Sequence, residues 1–404
     1  MFYGRSALCL PSLALVGKLH EQRAMRDTRY LRRITACLGF SSLLCAALAQ
    51  AQLRIDESPT TPIKPLEPVV RIRCGGYVTH NRDTGAGSLR DAVVNPPGLL
   101  AGAICFDSAV FNKNAALASR TIRVASPILL AKNVWIAGPG GDAVMVSGGD
   151  STRIFTVAAG VSATLQGITV HDGYANFGGG IYNDRGKLTL SGARLVQNGA
   201  TSGGGIYSNE GEVLIKKSEL ISNWATSSGP TGNGGGIYGY YSASLRILDS
   251  VLELNSATNS GGAIANVECD DMRIEDSELS TNSARLGAGA FTTTHGTVTL
   301  VRSLVTGNGA SGSGAGLHVY DWGTPVLLED TELSYNWAFG SGGGIAINNP
   351  GLGSTLTRVT LQGGSVIHSN AGSAGGGIHA DGATLINAVS GTNVHSNLPN
   401  DITP

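Results

Sequence analysis

Eight asparagines recur along this chain at intervals of 25 to 34 residues, and the residues before them keep the same chemical character: Asn198, Asn223, Asn255, Asn282, Asn308, Asn336, Asn370 and Asn397. An aliphatic residue stands three positions before each anchor: Leu195, Leu220, Leu252, Leu279, Val305, Leu333, Ile367 and Val394. A second aliphatic stands eight positions before the anchor in seven of the eight repeats, from Leu190 to Val389. A pattern with this period predicts an array of stacked structural repeats.

The composition of each repeat excludes helices, because Gly, Ser, Thr and Asn are frequent and oppose helix interiors. Pairs of apolar residues separated by one position indicate short strands with one buried face. Three strands of four or five residues, joined by corners, would account for the repeat length. We therefore predict an all-β fold, a single-stranded right-handed parallel β-helix, whose matching side chains lie about 4.8 Å apart on successive coils.

Asparagine and glycine are each predicted to occupy a corner of this coil. Asn tolerates the left-handed backbone conformation, and its amide can bond the Asn of the next coil, so the anchors should form a ladder. Glycine steps such as Gly203-Gly204-Gly205 should serve a second corner, where a side chain would strike the neighbouring coil. The apolar residue after each step should point inward: Ile181, Ile206, Ile237, Ile264, Phe291, Leu317, Ile345 and Ile378.

The chain divides into four segments. Residues 1–51 contain an N-terminal extension and a secretory signal, with Arg32-Arg33, an apolar run too short to remain as a membrane span, and an Ala-Gln-Ala ending. Residues 52–68 are a Pro- and Thr-rich linker. Residues 69–157 form a cap and the first irregular coils, including a short helix after Ser88 that covers the open end. Residues 158–404 are the regular repeats.

Charge and cysteine content bear on the compartment and the partners. Residues 1–51 carry seven of the 28 Lys and Arg but two of the 29 Asp and Glu, so the remaining chain has a formal charge of −6. An acidic chain without a basic cluster argues against nucleic acid as a partner. Cys74, Cys105 and Cys269 remain, and an exported chain could pair the first two, although three free thiols would suit the sequence equally well.

The Gly-Gly-Gly-Ile steps, together with Asn-x-Ala segments such as Asn223-Trp224-Ala225 and Asn282-Ser283-Ala284, resemble those of a known family. The chain is similar to bacterial secreted right-handed parallel β-helix proteins with polymorphic-outer-membrane-protein-type repeats. Gly87-Ser88-Leu89-Arg90-Asp91-Ala92 is similar to the Cys-Ser-Leu-Arg-Glu-Ala segment that opens many of them, with Gly for Cys and Asp for Glu. The resemblance implies export and a β-helix fold, whereas the family's roles range from adhesion to none assigned.

The outer surface of the predicted coil offers few candidate catalytic or metal-binding residues. Glycoside hydrolysis needs two carboxyl groups facing one bond on neighbouring coils, and the acidic stretch around Glu268, Asp270 and Asp271 lies within one coil. Those three residues are either a solvated acidic corner or a calcium site. His368 and His395 both precede an anchor by two positions and lack matching Asp or Cys partners for a metal. We therefore assign no catalytic residue and no cofactor other than this candidate calcium.

An aromatic column is the stronger candidate for a site. Tyr182, Tyr207 and Tyr238 each follow an inward Ile, so they should face outward on three consecutive coils, with Trp224 and Tyr240 nearby. The rings either stabilise one another or form a platform for sugar rings or a protein partner. Three functions follow: a non-catalytic, secreted, periplasmic or surface-exposed protein that binds glycans or cell-surface proteins; a polysaccharide lyase or glycoside hydrolase; and a structural rod without a ligand.

Overall fold

A computed structural model describes residues 72–404 apart from 98–101, 228–231, 286, 295, 321–323 and 349–356. The predicted extension and signal of residues 1–51 and the predicted linker of residues 52–68 lie outside the described residues. The described chain winds through strands that pair only with matching strands of the preceding and following coils, and every pair is parallel. The predicted all-β parallel β-helix is confirmed.

Four sheets, rather than the three expected, run along the helix, and each coil of the regular region visits them in the order A, B, D, C. Sheet A has 12 strands: Cys74–Val78, Ala103–Phe106, Val134–Ala137, Ser162–Gln166, Lys187–Ser191, Glu212–Lys216, Ser244–Leu248, Asp271–Glu275, Thr297–Val301, Pro325–Glu329, Arg358–Gln362 and Thr384–Ile386. Sheet B has 11 strands: Thr121–Arg123, Met145–Ser147, Thr169–His171, Arg194–Val196, Glu219–Ile221, Val251–Glu253, Glu278–Ser280, Leu304–Thr306, Glu332–Ser334, Val366–His368 and Val394–His395.

The other two sheets flank the glycine corner. Sheet C has 11 strands: Ile128–Leu130, Phe155–Val157, Ile181–Asp184, Ile206–Asn209, Ile237–Tyr240, Ile264–Val267, Phe291–Thr293, Leu317–Val319, Ile345–Ile347, Ile378–Ala380 and Ile402–Thr403. Sheet D has seven short strands: Tyr174–Phe177, Gly199–Ser202, Trp224–Ala225, Ser256–Ala257, Ser283–Ala284, Gly309–Ala310 and Trp337–Ala338. Sheet D is the additional sheet, and its later strands are the two residues that follow each Asn anchor.

The interior is sealed by files of matching apolar side chains. The aliphatic residues three positions before the anchors are fully buried, and Leu195, Leu220 and Leu252 pair directly in sheet B. The apolar residues after the glycine steps are equally buried in sheet C. The prediction that the aliphatic residue eight positions before the anchor faces inward is wrong in the last repeat. There Val389 is exposed, and Leu385 pairs with Val359 of the preceding coil. The sheet A strand of this repeat ends at Ile386, three residues before Val389.

The asparagines form the predicted ladder inside the coil. Asn198 donates from Nδ2 to Asn223 Oδ1 at 2.9 Å, and the same oxygen accepts the backbone N–H of Asn198 at 3.1 Å. The second Nδ2 hydrogen bonds the Val170 carbonyl of the preceding coil at 3.0 Å. The pattern continues to Asn397, and all eight anchors are buried. Gly173 holds this position one coil earlier, with its N–H donated to Asn198 Oδ1.

The left-handed conformation belongs to the residue before each anchor, which corrects our assignment of it to the anchor asparagines themselves. These residues are Asp172, Gln197, Ser222, Leu254, Thr281, Gly307, Tyr335, Ser369 and Ser396. Turning the chain one residue earlier points the Asn amide inward, where it satisfies the backbone groups of the corner. A second ladder accompanies it, because the hydroxyl of Ser250 accepts the Ser218 N–H and the next coils repeat this bond.

Neighbouring coils approach closely at the glycine corner, as predicted. Gly203 has a φ of 66°, which favours glycine, and a Cβ on Gly204 would lie 2.3 Å from the Trp224 carbonyl oxygen and 2.5 Å from that of Gly235. Both oxygens belong to the next coil. Successive coils therefore approach so closely at this corner that side chains are excluded.

At the N-terminal end, helix α1 (Leu89–Val94) is the only helix in the described part of the chain. Ser88 caps it, as predicted, by accepting the Asp91 N–H at 3.1 Å, and Leu89 and Val93 are buried against the first strands. Cys74 and Cys105 form a disulfide between the first two strands of sheet A, which settles the alternative left open by the sequence. Cys269 is a buried free thiol.

Candidate functional site

Sheet C presents the predicted tyrosine column on its outer face. Tyr182, Tyr207 and Tyr238 pair directly in the sheet, each between two inward residues, and each ring is half-buried. The Tyr182 and Tyr207 rings stack, with centroids 5.5 Å apart and planes 20° apart. The Tyr238 ring meets Tyr207 edge-on at 5.2 Å. Burial raises the pKa of Tyr238 to about 12, and that of Tyr207 is also raised by burial, so both hydroxyls remain protonated hydrogen-bond donors at neutral pH.

Further rings extend this column in both directions. Tyr240 follows Tyr238 two residues along the same strand, and its ring contacts Tyr241 at 4.6 Å with the planes perpendicular. Phe177, at the end of a sheet D strand, contacts Tyr207 at 5.0 Å. We call this set of six side chains the aromatic surface: Phe177, Tyr182, Tyr207, Tyr238, Tyr240 and Tyr241. The exposed fractions are 43% for Phe177, 36% for Tyr240 and 48% for Tyr241, so these three rings form the part most open to solvent.

Trp224, predicted to lie near the tyrosine column, is on the outer side of sheet D. Its indole lies over Gly199 of the preceding coil, where a Cβ would be 2.2 Å from the ring. Gly199 thus provides the space that the indole fills. Trp224 is not part of the aromatic surface as we define it.

Arg153 and Phe177 are members of the site that the sequence analysis missed. The Arg153 guanidinium lies 4.8 Å from the centroid of the Tyr182 ring, a cation–π arrangement. Its Nε and Nη2 donate to the Phe177 carbonyl, and Nε also donates to that of Gly178. Burial lowers the pKa of Arg153. Phe177 could have been noticed from the sequence because it directly precedes a glycine step. Arg153 could not, because it lies in an irregular coil that does not follow the repeat pattern.

A corner column borders the aromatic surface. Arg185, Glu210, Tyr241 and Glu268 follow sheet C on consecutive coils, each with a φ of about 50°. Arg185 pairs with Asp184 through two hydrogen bonds, which hold the pKa of the Asp184 carboxyl below its usual value. Tyr241 lies between Glu210 and Glu268, and the nearby Glu268 charge raises its pKa. The surface therefore combines rings, phenol hydroxyls and carboxylates.

The three residues of the candidate calcium site have different surroundings. Glu268 lies in the corner column beside Tyr241. Asp271 begins a sheet A strand, where its carboxylate accepts from Arg246 at 3.3 Å, and the Asp270 side chain is exposed. Within the described ranges, no group of three or more His, Cys, Asp and Glu side chains is placed to hold a metal ion. Calcium binding through this stretch stays a prediction.

Other acidic residues of sheet A are paired with arginine. Arg302 donates to Asp276 at 2.8 Å and also to Glu275, which in turn accepts from Arg273 at 3.1 Å. These ion pairs join Arg302 to two acidic residues of the preceding coil and occupy the carboxylates that an acid catalyst would have to present to its substrate. This cluster is therefore better suited to linking coils than to acid catalysis.

The histidines predicted on neighbouring coils do pair there. The His368 and His395 rings stack with centroids 5.4 Å apart, and His368 Nε2 lies 3.1 Å from Glu332 Oε1. This hydrogen bond lowers the pKa of the Glu332 carboxyl. His318 is different, because burial lowers its pKa to about 4. Its two ring nitrogens are buried, and neither has a hydrogen-bond partner within the described structure.

Comparison with known proteins identifies the fold family. Among the described residues, no helix has the length and apolar character needed to cross a membrane. Neither the curated proteins nor the solved structures give a match to this chain. The family model for the right-handed β-helix region matches residues 125–336, more than half of the chain. With the parallel coils described above, this match establishes that the chain belongs to the right-handed β-helix family.

Proposed function

We propose that this chain is an exported, non-catalytic binding protein whose aromatic surface contacts glycans of its surroundings or of other cells. Export rests on the apolar segment in residues 1–51 and on the likeness to bacterial secreted proteins with polymorphic-outer-membrane-protein-type repeats. The observation that carries the binding proposal is the contiguous set of six aromatic side chains on sheet C and the two corners that border it. Exposed aromatic patches of this kind are typical of contact surfaces.

The composition of the site favours sugars over a purely apolar partner. Phenol hydroxyls donate and accept hydrogen bonds, while ring faces and edges pack against the apolar faces of pyranose rings. Asn209 lies beside the column and donates to Asp184 at 3.1 Å, which adds amide and carboxylate groups to the same face. A β-helix keeps these groups on a rigid sheet, so little conformational entropy is lost on binding.

The test should truncate exposed rings, because Tyr207→Ala would also remove contacts with three other rings. We expect Tyr240→Ala/Tyr241→Ala to reduce glycan binding at least tenfold, since each ring that stacks on a ligand contributes on the order of 1 kcal/mol. Binding is measured on a glycan array and then by calorimetry. Tyr77→Ala is the matched control, since Tyr77 is 57% exposed and lies on the first strand of sheet A.

Two outcomes would contradict the proposal. If the double variant binds every glycan as well as the wild type, the aromatic surface is not the binding site. If the purified chain degrades a polyuronide or another polysaccharide, with or without calcium, and Asp270→Ala or Asp271→Ala abolishes the turnover, the protein is an enzyme.

A further inference from the structure

The charges around the aromatic surface bear on which glycan it binds, an inference that rests on the proposed function. Glu210 and Glu268 flank Tyr241 on the preceding and following coils, because Glu210 N donates to the Tyr240 carbonyl and Tyr241 N donates to that of Val267. The left-handed backbone of all three corner residues places their side chains on the outside of the coil. An exposed ring thus lies between two carboxylates.

Neither carboxylate has a salt-bridge partner among the described residues. In the described part of the molecule, no Lys, Arg or His forms a salt bridge with Glu210 or Glu268. The nearest arginine of the same corner, Arg185, is engaged by Asp184 through both Nε and Nη2. Arg185 also attracts the Glu210 carboxylate electrostatically, but the three carboxylates of Asp184, Glu210 and Glu268 outnumber it, so this corner keeps a net negative charge.

The same surface already binds one cation at its other end. The Arg153 guanidinium lies over Tyr182, where the ring quadrupole attracts it, and its Nε and Nη2 are used by main-chain carbonyls. An acidic glycan would need a free arginine fork for its carboxylates. Arg153 and Arg185 are both occupied, so the surface would repel such a ligand rather than bind it.

We infer that the aromatic surface is selective for glycans that carry protonated amino groups. The ammonium of an amino sugar would contact the exposed Tyr241 ring and the carboxylates of Glu210 and Glu268, while Tyr240 and Phe177 pack on the sugar rings. Cation–π contact and charge complementarity act together in this arrangement. A neutral glycan of the same shape loses both contributions but keeps the ring packing.

The test uses oligomers with the same sugar backbone, one set with free amino groups that carry this charge and one set in which acetylation removes it. Glucosamine oligomers and the same oligomers fully N-acetylated are titrated into the full chain by calorimetry at pH 5.5, with oligogalacturonate as the acidic probe. We expect the glucosamine oligomers to bind about 5- to 30-fold more tightly than the acetylated ones, from two exposed charge contacts. The difference should shrink at 0.5 M salt because the carboxylates are exposed.

Variants assign the effect to the two carboxylates. Glu210→Gln/Glu268→Gln keeps the side-chain shape and should remove most of the preference, whereas Glu278→Gln, on the outer face of sheet B, should leave it unchanged. Equal binding of both oligomers, tighter binding of oligogalacturonate, or an unaltered preference in the double Gln variant would each overturn the inference. In any of those cases the proposed function still stands if Tyr240→Ala/Tyr241→Ala abolishes binding, and it fails if binding is independent of those rings or absent.

Discussion

Replacing one asparagine of the internal ladder tests whether hydrogen bonding, rather than shape alone, holds neighbouring coils together. Asn255 has an anchor on each side and is fully buried. Its Nδ2 donates to the Leu220 carbonyl at 2.9 Å and to Asn282 Oδ1 at 3.0 Å. Its Oδ1 accepts the Asn223 backbone N–H and Asn223 Nδ2, both at 3.0 Å. Asn255→Ala removes all four hydrogen bonds.

The expected loss follows from the groups left behind. The Asn223 N–H would be buried without its partner, Asn223 Nδ2 would keep only its bond to the Leu195 carbonyl, and the Leu220 carbonyl would lose one of its hydrogen bonds. A buried orphan group costs about 1 to 3 kcal/mol, so we expect Asn255→Ala to lower the free energy of unfolding by about 4 kcal/mol. That is a large fraction of the stability of an ordinary domain, about 5 to 15 kcal/mol.

Urea unfolding followed by far-UV circular dichroism measures this loss, and hydrogen exchange shows whether the adjoining coils open first. Asn209→Ala is the control, because Asn209 is half-buried and its side chain donates to Asp184 on the surface; it should cost less than about 1 kcal/mol. Asn255→Asp has nearly the same volume, but an ionised carboxylate cannot donate and taking up a proton at neutral pH costs free energy, so this variant should be destabilised like the alanine variant. If Asp restores stability, or if Asn255→Ala matches Asn209→Ala, the hydrogen-bond argument is wrong.

Two further predictions concern the glycine corner and His318, whose ring nitrogens are buried. Gly204→Ala should lower the free energy of unfolding by more than about 2 kcal/mol, because its Cβ would overlap carbonyl oxygens of the next coil. Gly76→Ala is the control and should be nearly neutral, because the atom nearest to its Cβ would be 3.9 Å away. Thermal unfolding of both variants measures the difference. For His318, the pKa is lowered to about 4 in the folded chain, so the unfolded chain takes up the proton first as the pH falls below about 6.5. The free energy of unfolding should therefore fall by about 2 to 3 kcal/mol between pH 7.5 and 4.5. Urea unfolding of the wild type and of His318→Gln at both pH values measures this, and the variant should lose less stability. An equal loss in the two proteins would show that other groups control the acid sensitivity.

The repeat pattern predicted the stacked parts of the molecule because each stacked position has its own chemical requirement. A buried aliphatic, a tight glycine corner and an internal amide ladder each restrict the residue type, so Leu220, Gly204 and Asn223 identify their positions in the coil. The left-handed conformation was assigned to Asn because Asn tolerates it in proteins generally, and that general tolerance does not show which residue of the corner adopts it. Where the amide finds its partners depends on the neighbouring coils, and these are known only in three dimensions.

Sheet D and part of the aromatic surface could not be predicted for a different reason. Strands of two residues, such as Trp224–Ala225, are too short to show any alternation of apolar and polar positions. Phe177 and Arg153 reach Tyr207 and Tyr182 from a different sheet and a different coil. Contacts across a corner leave no fixed offset in the sequence, although the tyrosines that stack within one sheet do.

The residue that turns left-handed before each asparagine has a consequence for how this chain can vary. Glutamine, serine, leucine, threonine and tyrosine all occupy that site in different coils, while the amide behind it stays the same. The bend is thus held from within by hydrogen bonds, so no particular outer side chain is required to form it. One edge of the molecule is therefore a row of interchangeable positions, a coil apart, where new surface chemistry can be introduced by single substitutions without disturbing the scaffold.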